Sequence, residues 1–174
     1  MLIPLGILDY PTGAAGAYDL LETQVLTSSA SSVTFTGLDT FSDYKHLQIR
    51  MVTQTAASGG YNATVRLNGD TGSNYAGHQL AGLSGTMYSF SQTSTSSPAF
   101  RTSEDYPNPN IIEILDFSNT SKNTTIREFT GSGTTIWLRS ILWNDTSAVT
   151  SISMTPTGNF IAGSRFSLYG IKGA

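Results

Sequence analysis

Asn68, Asp70 and Asn74 place three oxygen-bearing side chains within seven residues. Hard oxygen ligands in a tight loop are what calcium takes. No Glu follows where an EF-hand would need its bidentate ligand. A single carboxylate would therefore have to be completed by backbone carbonyls or a distant acid. The same residues also have an architectural use. Asn68-Gly69 is a strong hairpin signal, because both central residues of a type I′ turn need φ > 0, and Asx side chains accept hydrogen bonds from turn amides. An alternating run, Thr64 to Leu67, precedes the turn, and Tyr75 stands where pairing can resume. Asn68 and Gly69 are expected to form the turn and Asp70 and Asn74 to accept amide protons. Asn68, Asp70 and Asn74 are retained as weak calcium candidates.

No catalytic set emerges from the other reactive residues. The two histidines, His46 and His78, have no Gly-x-Ser-x-Gly nucleophile elbow to serve. Glu104, Asp105, Glu113 and Asp116 are the local carboxylates, but Glu113 and Asp116 differ in strand parity and cannot easily converge from one strand. Tyr61, Tyr75, Tyr88, Tyr106, Trp137 and Trp143 could stack on sugars or fill a sandwich core. Trp137 and Trp143 share one face of a strand, and the core is the favoured reading. No catalytic residue and no cofactor are expected.

The elements that must carry these residues read as strands. Leu47, Ile49 and Met51 alternate with Gln48 and Arg50, and Ala63, Val65 and Leu67 are in phase. Further strands are expected at residues 33–35, 112–117, 124–129, 135–143, 149–154 and 165–171. Turn clusters such as Asn119-Thr120-Ser121-Lys122-Asn123 and Thr157-Gly158-Asn159 separate them. Short strands punctuated every ~8–12 residues indicate an antiparallel β-sandwich or barrel. Residues 84–110, rich in Ser and Thr and holding Pro98, Pro107 and Pro109, read as a long loop with at most a short strand near 87–90. Residues 1–20 read as an extended arm, with residues 21–174 as the sandwich domain. Leu2, Ile3, Leu5, Ile7, Leu8 and Tyr10 are its candidate partner-binding residues, because an apolar arm left in water is an aggregation hazard. A first strand of the domain is the alternative for this segment.

Composition narrows the partners. The 174 residues suffice for one domain with a substantial core. Only 12% are charged, the net charge is −3 and no Lys/Arg cluster occurs, which argues against a nucleic-acid partner. Cysteine is absent, removing disulfides, thiolate metal sites and Cys nucleophiles together. The N-terminus lacks the basic region of a signal peptide, and no apolar stretch nears the ~20 residues of a membrane helix, so no membrane partner is expected.

Four segments together carry a resemblance: Asp43 to Arg50, Arg66 to Tyr75, Ile114 to Thr120 and Gly163 to Ile171. From about Gly16 to Gly170 the chain resembles a broad family of virion proteins of tailed bacteriophages, common in phages of cyanobacteria and other aquatic bacteria. The resemblance implies a jelly-roll-like β-sandwich with no catalytic residues. It implies a place in the virion, assembled in the host cytoplasm, beside the major capsid protein or another virion protein. A head decoration (cement) protein, forming a homo-oligomer with a trimer favoured, is the expected role. A tail, baseplate or fibre domain that recognises host glycan is the alternative.

Overall fold

A computed structural model describes residues 17–56, 62–96 and 98–173. Leu2, Ile3, Leu5, Ile7, Leu8 and Tyr10, with the rest of residues 1–16, lie outside the described residues, as does Tyr61. The described strands are β1 (Tyr18–Val25), β2 (Val33–Thr36), β3 (His46–Thr53), β4 (Asn62–Leu67), β5 (Tyr75–Leu83) and β6 (Thr86–Thr95). They continue with β7 (Ala99–Arg101), β8 (Asn108–Leu115), β9 (Thr124–Ser132), β10 (Thr135–Trp143), β11 (Ser151–Pro156) and β12 (Arg165–Ile171). One turn of 3-10 helix, Leu38–Phe41, is the sole helical element among the described residues.

The strands form two antiparallel sheets, as the alternation predicts. The long sheet runs β1-β12-β3-β8-β9-β10-β5-β6 and the short sheet β2-β11-β4-β7. The chain passes between sheets from β1 to β2, β2 to β3, β3 to β4 and β4 to β5, and again from β6 to β7, β7 to β8, β10 to β11 and β11 to β12. That alternation is the double Greek key of a jelly roll. Two hairpins, β5–β6 and β9–β10, are inserted into it and widen the long sheet beyond the edge of the short one.

The core lies where the sheets overlap. Ile49, Ile112, Ile114 and Leu168 of the long sheet face Phe35, Val65, Leu67, Ile152 and Met154 of the short sheet, all fully buried or nearly so. Phe160 meets Phe166 edge-on at 5.0 Å between ring centroids. This is the period-2 outcome of the alternating runs: one face of each strand is removed from water and the other is left to it.

Three sequence expectations are corrected. The arm cannot extend to residue 20, because Tyr18 to Leu20 already pair with Ile171 to Tyr169 in β1 and β12. The expected loop at 84–110 is mostly strand: β6, β7 and the start of β8 fall inside it. Ser84 (φ 48°) and Gly85 (φ 85°) make a two-residue turn of the type I′ class, with Leu83 and Thr86 as the closing pair. Third, the Asn68-Gly69 turn forms but closes no hairpin. Its residues have φ of 52° and 67°, and Asp70 N–H donates to Leu67 O at 2.9 Å, as in type I′. Yet β4 is flanked by β11 and β7, so both its edges are taken, and the chain crosses to the long sheet before pairing resumes at Tyr75.

Candidate functional site

The Asn68–Asn74 turn is a clasp between the two sheets. The Asn68 side-chain oxygen accepts from Thr150 N–H at 2.8 Å, Ser151 N–H at 3.1 Å and the Thr150 hydroxyl at 3.2 Å. Its amide donates to Ala148 O at 2.9 Å. Asp70 turns the other way. One carboxylate oxygen accepts Gly72 N–H at 2.7 Å, and the other accepts the Asn74 amide at 2.9 Å and Trp143 Nε1–H at 2.7 Å. Trp143 stands at the end of β10 in the long sheet, stacked with Tyr75 at 6.5 Å. The indole hydrogen bond first, then those from Asn74 and Gly72, hold the Asp70 carboxyl below its usual range.

The three calcium candidates therefore do not converge on one point: Asn68 faces the approach to β11 while Asp70 and Asn74 bond each other. Among the described residues no group of three or more His, Cys, Asp or Glu is placed to hold a metal. Asn68→Gly keeps the positive φ but removes four hydrogen bonds and is expected to cost about 1–3 kcal/mol in urea unfolding. A chelator is expected to leave the melting temperature of the parent unchanged. Calcium raising it by several degrees would contradict the clasp reading.

The other reactive residues are dispersed. His46 Nδ1 accepts Asp116 N–H at 2.8 Å, beside β8. Asp116 pairs with Lys122, whose hydrogen bond is the main cause of a lowered carboxyl pKa. Glu113 pairs with Arg127 at 2.7 Å. Gln54 Nε2 donates to Glu104 O, and Asp105 N–H donates to Ser103 Oγ. Trp143 and Trp137 are both buried, as the core reading predicts; Trp137 lies between the Arg101 and Arg139 guanidinium groups, 5.1 and 4.8 Å from its ring centroid.

The feature sequence reading missed is the outer face of the long sheet, turned away from the short one. Strand register lines up its residues in rows. Arg50, Ile111, Phe129, Leu138, Leu80 and Ser89 form one row across β3, β8, β9, β10, β5 and β6. Two residues along, Gln48, Glu113, Arg127, Ser140, His78 and Ser91 form a polar row. On the other side, Ile136, Gly82 and Met87 form a further apolar row. The apolar members are exposed: Phe129 45%, Leu138 and Leu80 47% each, Ile136 45%. Between the first two rows lies a shallow concavity of about 640 Å³. Gln48 Nε2 donates to Glu113 Oε1 at 2.9 Å within the polar row, and Arg50 Nε of the first row donates to Gln48 Oε1 at 2.6 Å. Arg50 also sits over the Tyr169 and Tyr18 rings, at 4.6 and 5.0 Å.

Beneath this face, on the inner side, is a buried ion pair. Glu128 is buried and lies 3.7 Å from Arg139, while Arg101 N–H of β7 donates to its other oxygen at 3.2 Å. Arg139 also donates to Gln79 Oε1 at 2.6 Å. Burial pushes the Glu128 carboxyl up to about 7, against the pull of Arg139 and the Arg101 amide. The same burial lowers the Arg139 pKa. The pair ties the inserted hairpins to the edge of the short sheet.

No family model matches this sequence, and no curated protein does. A contiguous exposed apolar surface bordered by a polar row has the composition of a protein-contact surface.

Proposed function

We propose that this chain is a structural protein of a tailed-phage particle, a decoration subunit that binds the head shell and stabilises it without catalysis. The observation that carries the reading is the exposed row Ile111–Phe129–Leu138–Leu80, set in a rigid antiparallel sheet. The four-segment resemblance to virion proteins supports it, as does the weakly charged surface. A face presented by strands is held in shape before binding, so little ordering entropy is spent on contact. The major capsid protein or another virion protein is the partner. Attachment adds to shell stability by mass action, as any ligand of a folded assembly does.

The N-terminal segment is assigned a second contact in this reading. Removing residues 1–16, which stops short of β1, is expected to leave the sandwich's melting transition intact and to weaken co-sedimentation with emptied capsid shells. Loss of the sharp transition would make those residues an integral part of the fold.

The concavity also favours a second reading, a tail or fibre domain that binds host glycan. It sets exposed Phe129 beside Gln48, His78, Glu113, Arg127 and Ser140, an aromatic platform next to hydrogen-bonding groups. Binding to a host-polysaccharide array, with none to shells, would select that reading over decoration.

A further inference from the structure

Two sheets have four edge strands, here β1, β6, β2 and β7. An edge strand presents unpaired N–H and C=O groups, and monomeric proteins blunt such edges with charge, bulges, proline or brevity. Three of the four edges show these devices. β2 has 4 residues and β7 has 3. β1 carries Asp19 and Glu22, with a register shift between Leu20 and Glu22. β6 shows one only at its far end, where an extra residue between Gln92 and Thr95 breaks the register with β5 and Ser94 takes φ 53°; from Thr86 to Gln92 it shows none. It has 10 residues, Thr86-Met87-Tyr88-Ser89-Phe90-Ser91-Gln92-Thr93-Ser94-Thr95, with no charge and no proline. Its side chains are exposed on both faces of the sheet, with Met87 at 60% and Phe90 at 55%. No described strand lies beyond it.

We propose that β6 is a self-association edge, paired antiparallel with β6 of a second copy about a two-fold axis through Ser89. The occupant follows from charge and symmetry. A strand with no charged residue meets an identical strand with no like-charge repulsion, and an antiparallel pair closes after two copies. The register follows from regularity. β6 pairs without a shift from Thr86 to Gln92 against Leu83 to Gly77, and Ser89 is the midpoint of that stretch. Centred there, Tyr88 of each copy stands opposite Phe90 of the other, a favourable aromatic cross-strand pair, and Met87 stands opposite Ser91. Pairing joins the two long sheets and continues the outer face across the axis. It assigns a two-fold assembly in place of the trimer that the resemblance implied, and it holds whatever the apolar face binds.

The absence of cysteine makes single introduced cysteines clean reporters. Directly opposed residues of an antiparallel pair have Cα atoms about 4.5–5.5 Å apart, within disulfide reach. Under mild oxidant, Ser89→Cys is expected to cross-link in high yield, whereas Thr86→Cys, about 20 Å from its counterpart, is not. Sedimentation of the full chain at micromolar concentration is expected to give two copies. Ser89→Lys sets like charges face to face and is expected to give one copy that still unfolds in a single sharp transition, now independent of concentration, while Gln24→Lys on β1 leaves the mass at two. A single-copy parent, a three-copy parent, or cross-linking at Thr86 in preference to Ser89 would overturn the proposal.

Discussion

The double variant Phe129→Thr/Leu138→Thr is expected to lose shell binding by roughly 100-fold or more while melting like the parent. Each change removes an aromatic or branched side chain from the centre of the exposed row, worth about 1.5–3 kcal/mol when fully buried at an interface. Threonine suits strands, so the backbone is not penalised. The two residues face each other across β9 and β10, so they form one patch. Their removal takes nothing from the core, since both side chains are about half exposed in the free chain. The measurement is co-sedimentation with emptied shells, paired with thermal unfolding. The pairing separates a lost contact from a lost fold.

Glu128→Ala is expected to act in the opposite manner, destabilising the fold by about 2–4 kcal/mol, because it empties a fully buried site and takes both acceptor oxygens from beside the Arg139 guanidinium. It also removes the acceptor of Arg101 N–H, the hydrogen bond that joins β7 to β9. Glu128→Gln retains that acceptor and is expected to be far milder. The pH dependence follows from the sign of the shift. The folded pKa, about 7, lies above the ordinary 4.5, so the folded state holds this proton more tightly than the unfolded chain. The resulting stabilisation is fully present below about pH 4.5 and is lost as pH rises through about 7. Asp70 and Asp116, with lowered pKa values, contribute stability that is lost only at acidity below the ordinary carboxylate range. The parent is therefore expected to be most stable at mildly acid pH. Urea midpoints measured from pH 4.5 to 8 should fall in the parent and stay nearly flat, in this window, for Glu128→Gln. A parallel fall in both would remove Glu128 as the cause.

The sheet class was legible in sequence because the alternating runs of β3 and β4 bury one parity and expose the other, as Leu47, Ile49 and Met51 do against Arg50. The inserted hairpins were not. In β9 the parity is inverted relative to hydropathy: Glu128 shares the inner face with Ile126 and Thr130, while Phe129 points outward with Arg127. In β10 apolar residues occupy both parities, so hydropathy did not mark the outer face that Leu138 shares with Ile136 and Leu142. β6 read as loop because neither face is buried and no alternation is imposed on it. The Ser84-Gly85 turn carried the true hairpin, while the stronger Asn68-Gly69 signal served a crossing between sheets. Local turn chemistry fixes φ, but strand partners are fixed by which edges remain open.

The central claim is attachment to the head through the outer face of the long sheet. A cryo-electron microscopy map of purified particles carrying this chain tests it most directly. Density for the jelly roll is expected on the capsid surface, with Ile111, Phe129, Leu138 and Leu80 against the shell. Density confined to the tail or fibres, or bound to the shell through the short sheet with this row in solvent, would contradict it.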